Sequence, residues 1–402
     1  MEQNSQTIGK KLVLIGGGHS HAIALKMFGL QRLKGVSLTL ITKETNTPYS
    51  GMLPGHIAGF YNYDECHINL KKLADFAQAN LCIDEVIGLD LEQNQVICAN
   101  SPPVTFDILS IDIGSTPAII SVSGAAEFAI PAKPVSQLLK HWYQLLISVA
   151  ENPQVSISIG IVGGGAGGVE LALSMQAHLQ KMMEKKNLAI HLFHRHQELM
   201  TNYHDSTQHQ VKKILTKRGI KLYLGEKVCE IEPNNFTLKP HSRNGEILTV
   251  KCESGLTVEC DRVFWVTQAS APQWLKATGL ATDEQGFILV NNKLQSLTHP
   301  HIFAAGDIAA MLNYPRPKAG VFAVKQGKPL FENLQRFVLN KPLEDYKPQR
   351  EYLSLIGTGD GRAIANKGDF TLPPHKLLWY LKDWIDCRFM EQFREGLEKH
   401  QL

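Results

Sequence analysis

The sequence predicts an α/β chain that repeats one plan twice, and three observations predict it. Leu12-Val-Leu-Ile15 is a short apolar run leading into Gly16-Gly-Gly18-His-Ser-His21; the pattern returns as Ile157-Ser-Ile-Gly-Ile-Val162 leading into Gly163-Gly-Gly165-Ala166-Gly-Gly168-Val-Glu170. After each glycine cluster comes a helix-length stretch (22–33 and 169–185), then a second apolar run (36–41 and 188–193). That is the alternation of a parallel sheet with crossover helices. Both halves then close on an apolar strand that begins with Asp, at Asp107 and at Asp261. The first glycine and that Asp lie 91 residues apart in one half (16 to 107) and 98 in the other (163 to 261). Such agreement reads as two copies of one dinucleotide-binding architecture.

Each glycine loop has the same physical rationale. The first glycine permits the tight strand-to-helix turn, the second lets backbone N–H groups approach a pyrophosphate, and the helix N-terminus brings its positive dipole end there. One such loop alone reads equally well as a plain turn; two, each between an apolar strand and a helix, make Rossmann-like dinucleotide-binding domains. Gly163, Gly165 and Gly168, with Ala166 among them, complete the second fingerprint. In the first, Gly16, Gly18, His19 and Ser20 are the candidate cradle, and His21 replaces the third glycine. It is expected to hold the helix slightly away or to turn its imidazole toward the ligand, the plainer reading being that His19 and His21 are tolerated loop residues. No metal site is expected, because no further ligand has a legible spacing to them.

An acidic residue after the second strand of such a domain receives the adenosine ribose hydroxyls. Glu44 is the one carboxylate within reach in the first domain. The second domain reads His194-Arg195-His196, with no acid. A guanidinium pairs with a 2′-phosphate but cannot accept bonds from two hydroxyls. NADPH is therefore expected to be accepted at least as well as NADH, with Arg195 in contact; a solvated basic loop is the plainer alternative.

Composition bounds the rest. The chain has 402 residues, 44% hydrophobic and 20% charged, with a formal net charge of +3, long and apolar enough for two or three domains with cores of their own. Disorder is excluded, and so small a net charge gives no field to gather nucleic acid. Seven cysteines, none spaced as CxxC or CxxxxC, suit free thiols in a reducing cytosol. The polar amino end carries no signal-peptide core, and no stretch of about 18 apolar residues offers a membrane span. A cytoplasmic protein is expected, with attachment to a membrane surface left open.

Toward the carboxyl end, 352–365 reads as two strands joined by a Gly-Asp360-Gly361 turn. Pro373-Pro374 interrupts the chain, and 375–393 follows with Leu378, Leu381, Ile385, Phe389 and Phe393 at helical spacing, an amphipathic helix.

These residues resemble the two-dinucleotide-domain flavoproteins of the pyridine nucleotide-disulfide oxidoreductase superfamily. Its members include type II NADH dehydrogenases, ferredoxin reductases and sulfide:quinone oxidoreductases. The resemblance covers about residues 10–340 and rests on the two glycine loops, on Ile111-Asp-Ile-Gly114-Ser115-Thr-Pro117 and on His301-Ile-Phe-Ala-Ala-Gly306-Asp307. The last looks like the family's second flavin fingerprint, in which the Asp bonds the ribityl chain. The opening GGGHSH and Thr47-Pro-Tyr-Ser-Gly-Met-Leu-Pro54-Gly55 look closest to NADH-dehydrogenase-like proteins sometimes fused to selenide, water dikinase.

The resemblance implies FAD and NAD(P)H as cofactors. Gly16, Gly18, His19, Ser20, Glu44, Pro54, Gly114, Gly306, Asp307 and Ala323 would lie on FAD, and Gly163, Gly165, Ala166, Gly168, Glu170 and Arg195 on NAD(P)H. Glu170 resembles the family's glutamate facing the nicotinamide end. Residues 318–327 sit where the family packs a helix start beside the flavin ring, which makes Lys325 and Gln326 the candidates near the reacting group. Quinone-reducing members carry a glutamine-rich version of this segment; here only Gln326 and Ala323 fit it, which counts against a quinone acceptor. The flavin domain would comprise 1–122 and 285–345, the nicotinamide domain 150–284, and the hairpin and helix tail 346–402. In type II NADH dehydrogenases a terminal amphipathic helix attaches the enzyme to a membrane; docking of 375–393 on the body or on a second subunit, as in a homodimer, is the other reading.

The expected activity is hydride transfer from NAD(P)H to flavin, then electron transfer to an acceptor such as a quinone. A sulfur- or selenium-handling flavoenzyme is the second reading, weakened by the missing thiol pair. A nucleotide-binding redox sensor with negligible turnover is the third.

Overall fold

A computed structural model describes residues 9–117, 122–234, 247–267 and 269–394; the polar amino end and the last eight residues of the tail lie outside the described residues. The first unit runs β1 (Lys10–Ile15), α1 (His19–Leu30), β2 (Val36–Thr42), α2 (Leu53–Ile57), β3 (Asn80–Ile83) and β4 (Ile108–Ile111). The second runs β5 (Ile130–Pro131), α3 (Val135–Glu151), β6 (Ile157–Val162), α4 (Ala166–Leu179), β7 (Leu188–His194), β8 (Lys221–Leu224) and β9 (Arg262–Trp265). The chain then returns through β10 (Ile302–Ala304) and α5 (Gly320–Val338), and ends in β11 (Ser354–Gly357), β12 (Ala363–Lys367), β13 (Phe370–His375) and α6 (Lys376–Glu391).

Both nucleotide-binding units are five-stranded parallel sheets of one design, β10-β4-β1-β2-β3 and β5-β9-β6-β7-β8. The aspartates that mark the repeat do the same work in each. Asp107 Oδ2 accepts from Lys11 N–H at 2.6 Å and Asp261 Oδ2 from Ser158 N–H at 2.7 Å, clasping the entry of the central strand to its neighbour. Leu12, Leu14, Leu40 and Phe303 fill the first core; Ile159, Ile161, Leu192 and Phe264 fill the second, all fully buried. Side chains buried on both faces explain the continuous apolar runs.

The units divide at places the pattern alone did not indicate. Leu138, Trp142 and Val149 of α3 pack into the second core, upstream of residue 150, and Leu275 and Leu280 pack into the first, upstream of 285. Both glycine-loop helices begin three residues before the expected 22 and 169. Gly18 and Gly165 cap them in extended conformation, so the loop residues themselves form the first turn.

Two expectations for the carboxyl end are corrected. The hairpin is a three-stranded antiparallel sheet, with Pro373 and Pro374 inside β13 rather than breaking the chain. An edge strand tolerates proline because its outward N–H groups need no partner. In α6 the buried face carries Trp379, Lys382, Asp386 and Met390, whereas Leu381 and Ile385 of the expected seam are exposed with Leu377, Tyr380 and Trp384. Lys382 Nζ bonds Asp386 Oδ2 at 2.6 Å and the Gly51 carbonyl at 2.5 Å. A pair so satisfied can be buried, and it turns the helix away from its apolar stripe. No helix among the described residues is long and apolar enough to cross a membrane.

Candidate functional site

The first glycine loop is shaped around Asp112, the residue that follows β4. A Cβ on Gly16 would stand 2.4 Å from the Asp112 carbonyl, and one on Gly18 would stand 2.2 Å from its carboxylate. His21 N–H donates to Asp112 Oδ2 at 3.1 Å. Burial pushes the Asp112 carboxyl up to about 7 despite that bond, the Asp307 charge acting in the same direction.

His21 does not turn toward a ligand. Its ring is fully buried, with Nδ1 2.7 Å from the Gly16 carbonyl and Nε2 2.8 Å from Ser110 Oγ. A carbonyl can only accept, so Nδ1 carries the proton and Nε2 accepts from the serine. Burial brings its pKa down to about 4, which keeps the ring neutral. It is a strut between loop and sheet, occupying the space a third glycine leaves open.

The remaining residues named for the first site are spread around this loop. His19 opens α1 edge-on to Tyr49, 5.5 Å between centroids, and its Nε2 is buried without a hydrogen-bond partner. Ser20 Oγ donates to the Ala323 carbonyl at 2.7 Å, joining α1 to α5. Glu44, exposed past the end of β2, accepts from Ser136 Oγ. Pro54 lies in the first turn of α2. Gly114, at φ +71°, has no atom within 4 Å of where its Cβ would be, so open space adjoins it.

Gly306 and Asp307 converge on the same point from β10. Gly306, at φ +71°, has room for no side chain because its Cβ would stand 2.2 Å from Asp112 Oδ1. Gln326 Oε1 accepts from Gly306 N–H at 2.6 Å and so supports this turn, while Lys325 on the same helix is exposed. Asp307 Oδ2 is 2.8 Å from Lys133 Nζ and 3.2 Å from Ser115 Oγ. Burial alone would raise its carboxyl; the Lys133 charge and bond, with Ser115 and the Lys318 charge, hold it below the usual range. Lys318 lies over the Phe287 ring at 3.9 Å and donates to the Ala309 carbonyl. Burial brings its pKa down to about 8. A cleft of about 310 Å³ opens here, bordered by Asp307, Lys318, Phe287, Tyr314 and Phe322. Sequence reading did not single out Lys133, Asp112 or Lys318. The Asp in 111–117 was a legible signal, and a lone lysine was not.

The second loop is tighter. Gly163 sits at φ +128°, and its Cβ would meet the Val266 carbonyl at 2.3 Å. A Cβ on Gly168 would stand 1.9 Å from the Gly163 carbonyl, so the third glycine is obligatory here, and Gly165 faces open space. Ala166 opens α4. Gly164 N–H donates to His194 Nδ1 at 3.1 Å, and Arg195 is exposed with its Nε 3.1 Å from His196 Nε2. Glu170 Oε1 accepts from Gly357 N–H at 2.7 Å, so its carboxylate ties α4 to the carboxyl-terminal sheet. Burial pushes it up to about 7, with Lys382 acting against that shift.

Two glycine loops, with open space at Gly165 of the second and at Gly114 beyond β4, fit two dinucleotides. The buried, unpartnered His19 Nε2 and Thr267 Oγ1 beside them fit as well. The family model for pyridine nucleotide-disulphide oxidoreductases matches residues 10–327. The chain belongs to that family. It is an oxidoreductase that uses FAD and NAD(P)H.

Among the relatives of this family member is the NADH dehydrogenase-like protein YutJ of Bacillus subtilis, 22% identical over 87% of this chain and 90% of its own. Human ferroptosis suppressor protein 1 is 27% identical over 69% of each chain, and the type II NADH:quinone oxidoreductase of Haemophilus influenzae 23% over 84% and 83%. The solved sulfide:quinone oxidoreductase of Aquifex aeolicus shares the fold, with a TM-score of 0.76 at 18% identity over 96% of this chain and 92% of its own. Cys66, Cys82, Cys98, Cys229, Cys252 and Cys387 carry free thiols, and burial pushes the Cys66 thiol up to about 12, so it offers no thiolate nucleophile.

Proposed function

We propose that this oxidoreductase takes hydride from NADPH or NADH and delivers the electrons to a quinone at a membrane surface. The observation that carries the acceptor and the location is the exposed apolar face of the tail. Leu377 (68% exposed), Tyr380, Leu381, Trp384 and Ile385 of α6 share the carboxyl-terminal unit with Phe370 and Leu372 of its edge strand. Scattered exposed apolar residues need no explanation, but seven in one small unit mark an interaction surface. The relatives named as quinone reductases give the same direction.

FAD, when bound, supplies the two-electron chemistry. Around it we assign Gly16, Gly18, His19 and Ser20 to the diphosphate end, Glu44 to the adenosine ribose, and Asp307 to the ribityl hydroxyls. Pro54, Gly114, Gly306 and Ala323 shape the walls, in a flavin unit that we assign to segments 1–122 and 285–345. NAD(P)H we assign to Gly163, Gly165, Ala166 and Gly168, with Arg195 on a 2′-phosphate and Glu170 at the nicotinamide end, on segment 150–284. These residues would position the two cofactors for hydride transfer and exclude water; no side-chain acid or base is required for that step.

The test has two parts. Anaerobic addition of NADPH, then NADH, to the flavin-loaded protein is expected to bleach the flavin bands with both donors, NADPH at least as fast. The double variant Leu377→Ser/Trp384→Ser is expected to bleach normally yet to stop sedimenting with anionic vesicles and to reduce a vesicle-borne long-chain quinone more slowly. Unchanged sedimentation and quinone reduction would remove the membrane assignment, and flavin that neither nucleotide bleaches would remove the central one.

A further inference from the structure

Two cations in the site, Lys133 and Lys318, serve none of the roles assigned above, and of the two it is Lys133 that bonds Asp307. Lys133 follows β5, whose strand runs parallel to β9 in the nucleotide sheet with Pro131 opposite Trp265. It therefore projects from the carboxyl end of that sheet, the side on which a bound nucleotide's reactive end must lie. Yet its ammonium bonds the other unit, lying 2.8 Å from Asp307 Oδ2 and 3.0 Å from Ser115 Oγ. Both partners belong to the segments that converge on the flavin fingerprint, and the Lys133 side chain is 44% exposed rather than sealed in the interior.

Hydride transfer moves two electrons and one proton from C4 of NAD(P)H, which leaves as NAD(P)+, and so brings one net negative charge onto the flavin. A positive charge fixed beside the flavin before transfer stabilises that product without reorganisation. Asp307 is committed to hydroxyls when the flavin is bound, and its negative charge works against reduction. The group that offsets it must lie close, and Lys133 is bonded to it.

We propose that Lys133 is the electrostatic partner of the flavin: carried by the nucleotide-binding unit and paired with Asp307 and Ser115, it raises the flavin's affinity for electrons. The inference rests on the flavin placement given under Proposed function, and the two fail separately. Wild-type protein that takes up no FAD defeats the placement, whatever Lys133 does.

The experiment equilibrates the FAD-loaded protein with a redox dye of known potential and reads the ratio of reduced flavin to reduced dye. Lys133→Met is expected to lower the flavin-to-dye equilibrium constant by about tenfold or more, the scale of one unit charge acting over roughly 10 Å at an effective dielectric constant of about 20. Lys133→Arg is expected to stay within about threefold of wild type. A Lys133→Met equilibrium within about twofold of wild type would overturn the proposal. Where Lys133→Met does not take up FAD, Lys133→Gln replaces it. If both neutral variants lose FAD while Lys133→Arg retains it, the cation is required by the flavin, in keeping with the proposal. Loss of FAD in all three would instead mean a packing role and overturn it.

Discussion

The two nucleotide-binding units share strand order, loop position and the aspartate clasp, yet they diverge at the third position of the loop. In the second unit Gly168 lies against the Gly163 carbonyl with no room for a methyl group. In the first, His21 fills the corresponding place and bonds the Gly16 carbonyl through its ring. The residue after the central neighbouring strand differs as well, Asp112 in one and Val266 in the other. A buried carboxylate beneath the first loop receives backbone N–H groups, which the second loop does without. The lesson is that one backbone geometry admits two solutions, close packing without side chains or a bonded side chain that takes up the space.

The outer strand differs too. In the first sheet it is β10, supplied from far downstream; in the second it is β5, supplied from upstream. Each unit is thereby stitched to the other, and the crossing segments place Lys133 and Asp307 side by side.

Several substitutions would break this comparison. Gly168→Ala has the largest expected effect: flavin bleaching by NAD(P)H slows about a hundredfold because the loop must move, while FAD content stays at the wild-type level, as stopped-flow absorbance and the flavin-to-protein ratio would show. At the matching position His21→Ala should spare nucleotide chemistry and instead destabilise the fold by about 2–3 kcal/mol, since it strands the Ser110 hydroxyl and the Gly16 carbonyl; urea unfolding measures it. Equal loss of bleaching in both variants would mean the loops are not distinct solutions.

Asp307→Ala comes next, weakening FAD binding by about tenfold to a hundredfold in a fluorescence titration of apoprotein, the scale of a charged hydrogen bond. Arg195→Ala is expected to raise the Kd for NADPH about tenfold and that for NADH less than about threefold, and an unchanged ratio would make the 194–196 segment a solvated loop.

The smallest expected effect concerns Asp112. Its folded carboxyl sits near 7, above its value in the unfolded chain, so folding is favoured while the group is protonated and stability falls as pH rises from about 4 through 7. Asp112→Asn removes that contribution. Its melting temperature should fall less than wild type between pH 5 and pH 8, by on the order of 2–4 °C. Glu170, raised to a similar value by burial, retains its share of the slope, so the dependence weakens without vanishing.

Much of the fold was legible because it is local. Apolar runs, glycine clusters and the Asp at each closing strand are written in consecutive residues, and they mark both sheets, both loops and the Gly306-Asp307 turn. The helix starts came out three residues late because glycine, serine and histidine lower helix propensity, and only the capped first turn overrides that. The tail helix was legible as a helix but not in its orientation. Periodicity ranks Lys382 and Asp386 as surface residues, and nothing local says that they meet each other and the Gly51 carbonyl in the interior.

By itself, then, the sequence determined two nucleotide-binding units and their loops, since these rest on short-range pattern and turn chemistry, while its resemblance to a family implied the cofactors. Only the tertiary structure decided that His21 braces the loop, that Gln326 holds Gly306, that Glu170 reaches the tail, and that Lys133 meets Asp307 across 174 residues of chain. Those contacts join residues remote in sequence through the crossing of the two sheets, and a side chain's partner is set by where the backbone brings it.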